Sequence, residues 1–338
     1  MRRFLTIAMT VILSAGMAAA QGKGSDSCDR ACLEATVNQY LAAMVAHDAS
    51  KAPLAKNVKY TENAATLAFT DGLWFTCSGL TDYKFYVSDP QSGQVAYVGL
   101  VKENDKTSLF SMRLKVVDRK ITEVEHVIVR NVSEKNLANL KAPPAAFSEP
   151  LAPSERVSRQ ELIKISNLYF DGIEQSDGDI VPWDPECYRL ENGMLTASNK
   201  PKPTPPPPAV GAPPAGGPGG GASLPGGSSC RDGLHSGGLS YIHNISPRRV
   251  PVVDEERGVT WGVYTFNHRG VPTVTLRNGT TRNAFMVGDP NSMPIAELFK
   301  IKSGKIQDIM AIAVRTPLNF GDGWLPGDLN THSGKKNR

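Results

Sequence analysis

The sequence predicts an α+β protein built twice from one unit, a long helix followed by an antiparallel sheet, and three observations point there. The runs "VKYTEN" (58–63) and "YRLENG" (188–193) both close on Glu-Asn. Adding 129 to Tyr40, Asp48, Pro53, Glu62 and Asn63 gives Tyr169, Asp177, Pro182, Glu191 and Asn192, five identities with no gap. Val37, Tyr40, Leu41 and Met44 share one helical face, as do Leu162, Ile165, Tyr169 and Ile173. Finally, "LKVVDRKITEVEHVIVR" (114–130) matches "FKIKSGKIQDIMAIAVR" (299–315) at an offset of 185.

The elements of the first unit follow in order. The helix over 37–48 ends at Asp48, which holds the next turn, and a short strand then ends at Glu62-Asn63. After a less regular stretch containing "GLW" (72–74), strands are expected at about 82–88, 94–102, 108–118 and 121–130. "QVAYVGLV", "SLFSMRLKVV" and "ITEVEHVIVR" have the β-branched and aromatic content that suits strands, and "DPQSG" (89–93) and "DRK" (118–120) are turns. The second unit repeats this order. Its offset grows from 129 to 185, so 56 extra residues lie inside it, and the Pro/Gly-rich tract at 199–230 accounts for much of them. Such a tract ordinarily joins domains. Here it interrupts the second unit after its first strand. The expected layout is a leader at 1–20, units at 28–135 and 158–318 joined by a linker at 136–157, an insertion at 199–229 and a tail at 319–338. The charged run "PRRVPVVDEERG" (247–258) is expected to be a solvated turn.

Residues 1–20 run from Arg2 and Arg3 through an apolar stretch to Ala18, Ala19 and Ala20, the order of a secretory signal peptide. A secreted or periplasmic protein is expected, with no membrane association after cleavage. The formal charge is +4, but five positive charges sit at Arg2, Arg3, Lys335, Lys336 and Arg338. The remainder is close to neutral and has no concentrated basic face, which excludes a nucleic-acid partner. Five cysteines in an exported chain leave one unpaired. Cys187 and Cys230 bracket the Pro/Gly tract and are expected to bond. Cys28 and Cys32, one helical turn apart, either pair locally or reach Cys77. Neither the cysteines nor the six histidines show metal-ligand spacing, so no metal and no other cofactor is expected.

The segment "VNQYLAAMVAHDASKAPLAKNVKYTEN" (37–63) resembles the opening of the NTF2-like cone fold, which includes the SnoaL and ketosteroid isomerase branches. "TEN", "GLW", "DPQSGQ" (89–94) and "VVDEERG" (252–258) also resemble an exported family carrying two such units. The resemblance implies two tandem cones, each with its helices packed on a curved antiparallel sheet. The two units are expected to pack on each other through their sheets as a pseudo-dimer within one chain, with a homodimer as a further possibility. Tyr40 falls where such isomerases keep an oxyanion-binding tyrosine. Glu62 falls near their carboxylate base, with a two-residue gap and Glu in place of Asp, and their second oxyanion-holding acid has no counterpart.

The resemblance therefore implies a cofactor-independent lyase, isomerase or cyclase acting by acid–base chemistry on a small, largely apolar, aromatic, terpenoid or polyketide-like molecule. A desolvated carboxylate is a stronger base, and a tyrosine can hold the developing oxyanion. Glu62, Tyr40 and His126 are the catalytic candidates, with Glu191 and Tyr169 as the second copy. Asn63, Trp74 and Asn192 are candidates for substrate contact. His126 points to the first unit, because Ala311 stands at its repeat position. The alternatives stay open: Tyr40 as an ordinary core tyrosine, Glu-Asn as a turn device, and the whole chain as a tandem binding or assembly module.

Overall fold

The computed structural model describes residues 28–200, 228–285 and 287–324. The expected leader, most of the Pro/Gly insertion and the end of the tail lie outside the described residues.

Helix α1 (Arg30–Val45) starts where Asp29 accepts from Cys32 N at 2.9 Å, an N-cap that satisfies one of the free amides of the first turn. Asp48 then caps a short 3-10 turn, as its place after the helix predicts. Strand β1 (Leu54–Glu62) and the short β2 (Ala65–Thr66) follow, then one helical turn, α2 (Leu73–Thr76). The long strands β3 (Cys77–Asp89), β4 (Gln94–Glu103), β5 (Lys106–Val117) and β6 (Lys120–Val129) complete the unit. The sheet order is β2-β1-β6-β5-β4-β3, and β1 joins β6 in parallel while every other pair is antiparallel.

The linker is not loose. A short helix, α3 (Glu134–Ala138), leads into it, and it buries Leu140, Phe147 and Leu151, with Phe147 stacked on Phe85 at 5.3 Å. The second unit then repeats the first: α4 (Arg159–Gln175), β7 (Trp183–Glu191), β8 (Met194–Ser198), α5 (Cys230–His235), β9 (Ile242–Asp254) and β10 (Val259–His268). A hairpin of β11 (Thr273–Thr275) and β12 (Thr281–Asn283) precedes β13 (Asn291–Lys302), β14 (Lys305–Ala313) and β15 (Thr316–Pro317). The order β8-β7-β14-β13-β10-β9 reproduces the first sheet, with β15 added beside β13. Glu62 pairs with His126 across the parallel junction, and Glu191 pairs with Ala311 at the same place.

The register also locates the extra residues of the second unit. Asp89 and Asp254 end equivalent strands 165 residues apart, so 36 residues enter between β8 and β9 and 20 more between β10 and β13. That second insertion is invisible in composition, because it forms the β11–β12 hairpin and has no low-complexity signature. In the first unit only Asn104 and Asp105 connect the equivalent strands.

The two sheets pack face to face. Val98, Leu100 and Leu109 on one side and Trp261, Val263 and Leu298 on the other belong to one shared core, so the central strands are buried on both faces and read as nearly continuous apolar runs. The contact is reciprocal, as in a twofold dimer. Arg30 binds Asp254 at 2.6 and 2.8 Å, and its repeat equivalent Arg159 binds Asp89 at 2.6 and 3.0 Å. The expectation of a solvated turn at 247–258 is corrected here: residues up to Asp254 are strand, and Arg249 reaches Glu125 of the first unit and Asp322. Charge alone suggested exposure, which holds for Glu255 and Glu256 in the turn, but Arg249 and Asp254 find opposite charges on Glu125 and Arg30 of the first unit and are drawn inward.

Cys187 is bonded to Cys230 and Cys28 to Cys32, leaving Cys77 buried and free. Two disulfides fit folding in an oxidising compartment. Among the described residues, no helix is long and apolar enough to cross a membrane.

Candidate functional site

In the first unit the sequence-derived candidates meet, but in a closed network. Trp74 donates its indole N–H to the Tyr40 hydroxyl at 2.6 Å, and that hydroxyl meets His126 Nε2 at 2.9 Å. His126 Nδ1 lies 3.4 Å from the Tyr60 hydroxyl, which donates to Glu62 Oε2 at 3.2 Å. With one proton per group, the chain runs in one direction, from Trp74 through Tyr40, His126 and Tyr60 to Glu62. That order puts the imidazole proton on Nδ1. Glu62 is held further by Leu73 N at 2.7 Å and Arg130 at 3.0 Å. Tyr40 and His126 have no solvent exposure. Burial pushes the Tyr40 phenol far up, and burial, aided by Arg130, pulls His126 down to about 3. Phe110 and Phe69 fill in around these groups. Every hydrogen bond of the proposed base and oxyanion donor is taken up inside the protein.

Asn63 and Asn192 are also occupied. Both have positive φ, 49° and 48°, a backbone region that Asn tolerates better than most residues. Each side chain pairs in both directions with the next strand, Asn63 with Ile128 and Asn192 with Ala313. The amide imitates one more residue of strand. This explains the repeated Glu-Asn in place of the expected substrate contact.

The second unit differs where it matters for volume. Ala311 replaces His126 and Ile295 replaces Phe110, so these two rings are absent at their places, while Phe266 and Phe299 stand where the first unit has Val101 and Leu114. Arg189 replaces Tyr60. A cavity of about 330 Å³ lies there, at the lower end of the range of small-molecule sites, about 300–1,000 Å³. Its apolar wall includes Ile173, Trp183, Phe266, Met293, Ile295 and Ile309, and its polar wall includes Tyr169, Arg189, Glu191, Tyr241, His268 and Arg282. Lys135, from the short helix after the first unit, stands at this cavity too, and Asn136 donates to Asn192 O nearby.

Arg189 is clamped between Glu191 at 2.8 Å and the fully buried Glu297 at 3.1 Å. Burial lifts the Glu297 carboxyl to about 7, against the opposing pull of Arg189, and its Oε2 has no partner. Burial raises the Tyr169 phenol, so its hydroxyl keeps its proton. Burial lowers His268 to about 4, leaving a neutral imidazole at pH 7, and its Nδ1 has no partner. Tyr241 stacks on His268 at 5.5 Å. A neutral imidazole can accept a proton, and a buried phenol beside a guanidinium can donate to a developing oxyanion.

Sequence reasoning missed His268, Arg189, Tyr241 and Arg282. The comparison of copies that singled out His126 would have found His268, which stands at the position of Glu103, had the intermediate offset of 165 been recognised. As to metals, Asp177, Asp179 and His235 bring ligand atoms within 4.8 Å of one another, but Arg231 already pairs with Asp179 and Asp232. The group is a surface ion-pair network.

Two segments of the chain, residues 26–128 and 155–313, match a family model described as "Domain of unknown function (DUF8021)". No curated protein and no solved structure gives a match.

Proposed function

Because the chain belongs to the family described as "Domain of unknown function (DUF8021)", whose description assigns no activity, we propose a function from the site itself. The chain is a tandem NTF2-like protein, and its second unit encloses a small, largely apolar molecule and acts on it by cofactor-independent acid–base chemistry. The first unit is the rigid copy on which the second is built. Support for the cone fold comes from the leading helix and the shared strand order.

The observation that carries the functional reading is the cavity of about 330 Å³ whose wall holds Tyr169, Arg189 and His268 together. His268, neutral and unpartnered at Nδ1, takes a proton from the substrate. Tyr169 and Arg189 hold the negative charge that develops on the substrate oxygen. Glu191 fixes the guanidinium. The second reading is a non-catalytic binding module, and the observation favouring it is that Arg189 ties up Glu191, the carboxylate expected to be the base.

Incubating the protein with aromatic, terpenoid and polyketide metabolites under mass-spectrometric readout separates the two. The enzyme converts at least one compound. His268→Gln then lowers turnover by roughly 10²-fold, while Glu62→Gln leaves the rate intact. A compound retained unchanged supports the binding module. Loss of turnover in Glu62→Gln with none in His268→Gln would return the site to the first unit.

A further inference from the structure

The charges around the cavity say more about its occupant. Arg189 has two carboxylates beside it, whereas Arg282 forms no ion pair among the described residues. Its guanidinium makes a long hydrogen bond, 3.4 Å, to the carbonyl of Gly238, and its Nε is buried without a partner among the described residues. The guanidinium lies directly on Gly238, where a side-chain carbon would come within 2.3 Å of Nη2, so the glycine clears the seat it occupies. The other groups facing this space do not neutralise it. His268 is uncharged at pH 7, Lys135 adds a second cation, and Glu191 is engaged with Arg189.

Arg282 also arrives by a route of its own. It sits on β12, within the 20-residue insertion that the first unit lacks. The hairpin is anchored, since Arg277 donates to Ser176 O at 2.8 and 3.0 Å and its backbone N to Ser236 O at 3.0 Å. Phe285, just beyond β12, lines the same cavity and packs on Tyr241. The insertion thus delivers one cation and one ring to a cavity whose other guanidinium, Arg189, is already paired with Glu191 and Glu297.

We infer that the occupant is an apolar acid, a small hydrophobic body bearing a carboxylate that pairs with Arg282. This rests on the cavity being the ligand site. A guanidinium with open donors is geometrically suited to a carboxylate, and the charge-assisted bonds are about twice as strong as neutral ones.

The test uses hexanoate, decanoate and 4-phenylbutanoate, each beside the alcohol of the same skeleton, with calorimetric titration at pH 7. At least one acid binds about tenfold or more tightly than its alcohol. Arg282→Gln brings that acid down to the level of the alcohol and leaves the alcohol unchanged, which also reports an intact cavity. Arg282→Lys keeps part of the preference. Equal binding of acid and alcohol by the natural protein, or equal weakening of both in Arg282→Gln, overturns the inference while the cavity reading stands. Failure of every acid and every alcohol to bind overturns both.

Discussion

Replacing His126 by Gln should make this protein resist acid. The imidazole is fully buried among Tyr40, Tyr60 and Phe110, with Arg130 acting on it electrostatically and Glu62 one hydrogen bond beyond Tyr60. Desolvation first, then Arg130, lowers its pKa from 6.5 to about 3. A depressed histidine pKa means that the unfolded chain binds a proton between pH 6.5 and 3 that the folded chain refuses. The stability is therefore complete above 6.5 and is lost as pH falls. At pH 4 the shift acts over about 2.5 units, which at about 1.4 kcal/mol per unit is roughly 3 kcal/mol. Gln offers an amide to the two tyrosines and does not titrate, at a cost of about 1–2 kcal/mol at pH 7. The assay is urea unfolding at pH 7 and pH 4, followed by tryptophan fluorescence. Between the two pH values the natural protein should lose about 3 kcal/mol more than His126→Gln. His268 and the carboxylates titrate in both proteins and cancel. Equal losses would refute the burial argument.

Three further outcomes follow from the disulfides and the contact between the units. Cys230→Ser opens a bond that closes a 43-residue span, so it should cost about 4 kcal/mol by loop entropy, read as a lower urea midpoint. Peptide mapping without reduction should recover Cys187 with Cys230 and Cys28 with Cys32. Arg30→Ala and Arg159→Ala each strand a buried carboxylate, Asp254 and Asp89, at the pseudo-twofold contact. Each should lower stability by about 3 kcal/mol, and the two losses should be similar in an unfolding series, because the contacts are equivalent.

Much of the architecture was legible in the sequence, and for local reasons. Helical periodicity, β-branched strands and the Asp caps are properties of neighbouring residues, and the repeat is preserved wherever the same backbone must be rebuilt. Glu62 and Glu191 could be matched by counting alone, and so could Tyr40 and Tyr169. What counting could not reveal was which copy has room for a ligand. That depends on where side chains from distant strands converge: His126 and Phe110 occupy the middle of the first core, and Ala311 and Ile295 stand at those places in the second, where the cavity lies. It depends also on where charges find partners. Glu62, the most conspicuous acid in the sequence, is consumed by Arg130 and a backbone amide. The unremarkable Arg282 is brought to the cavity by a hairpin with no compositional signature. The local pattern of the chain determined the two frames. Burial and pairing across long sequence separations decided which of them is filled and which is hollow.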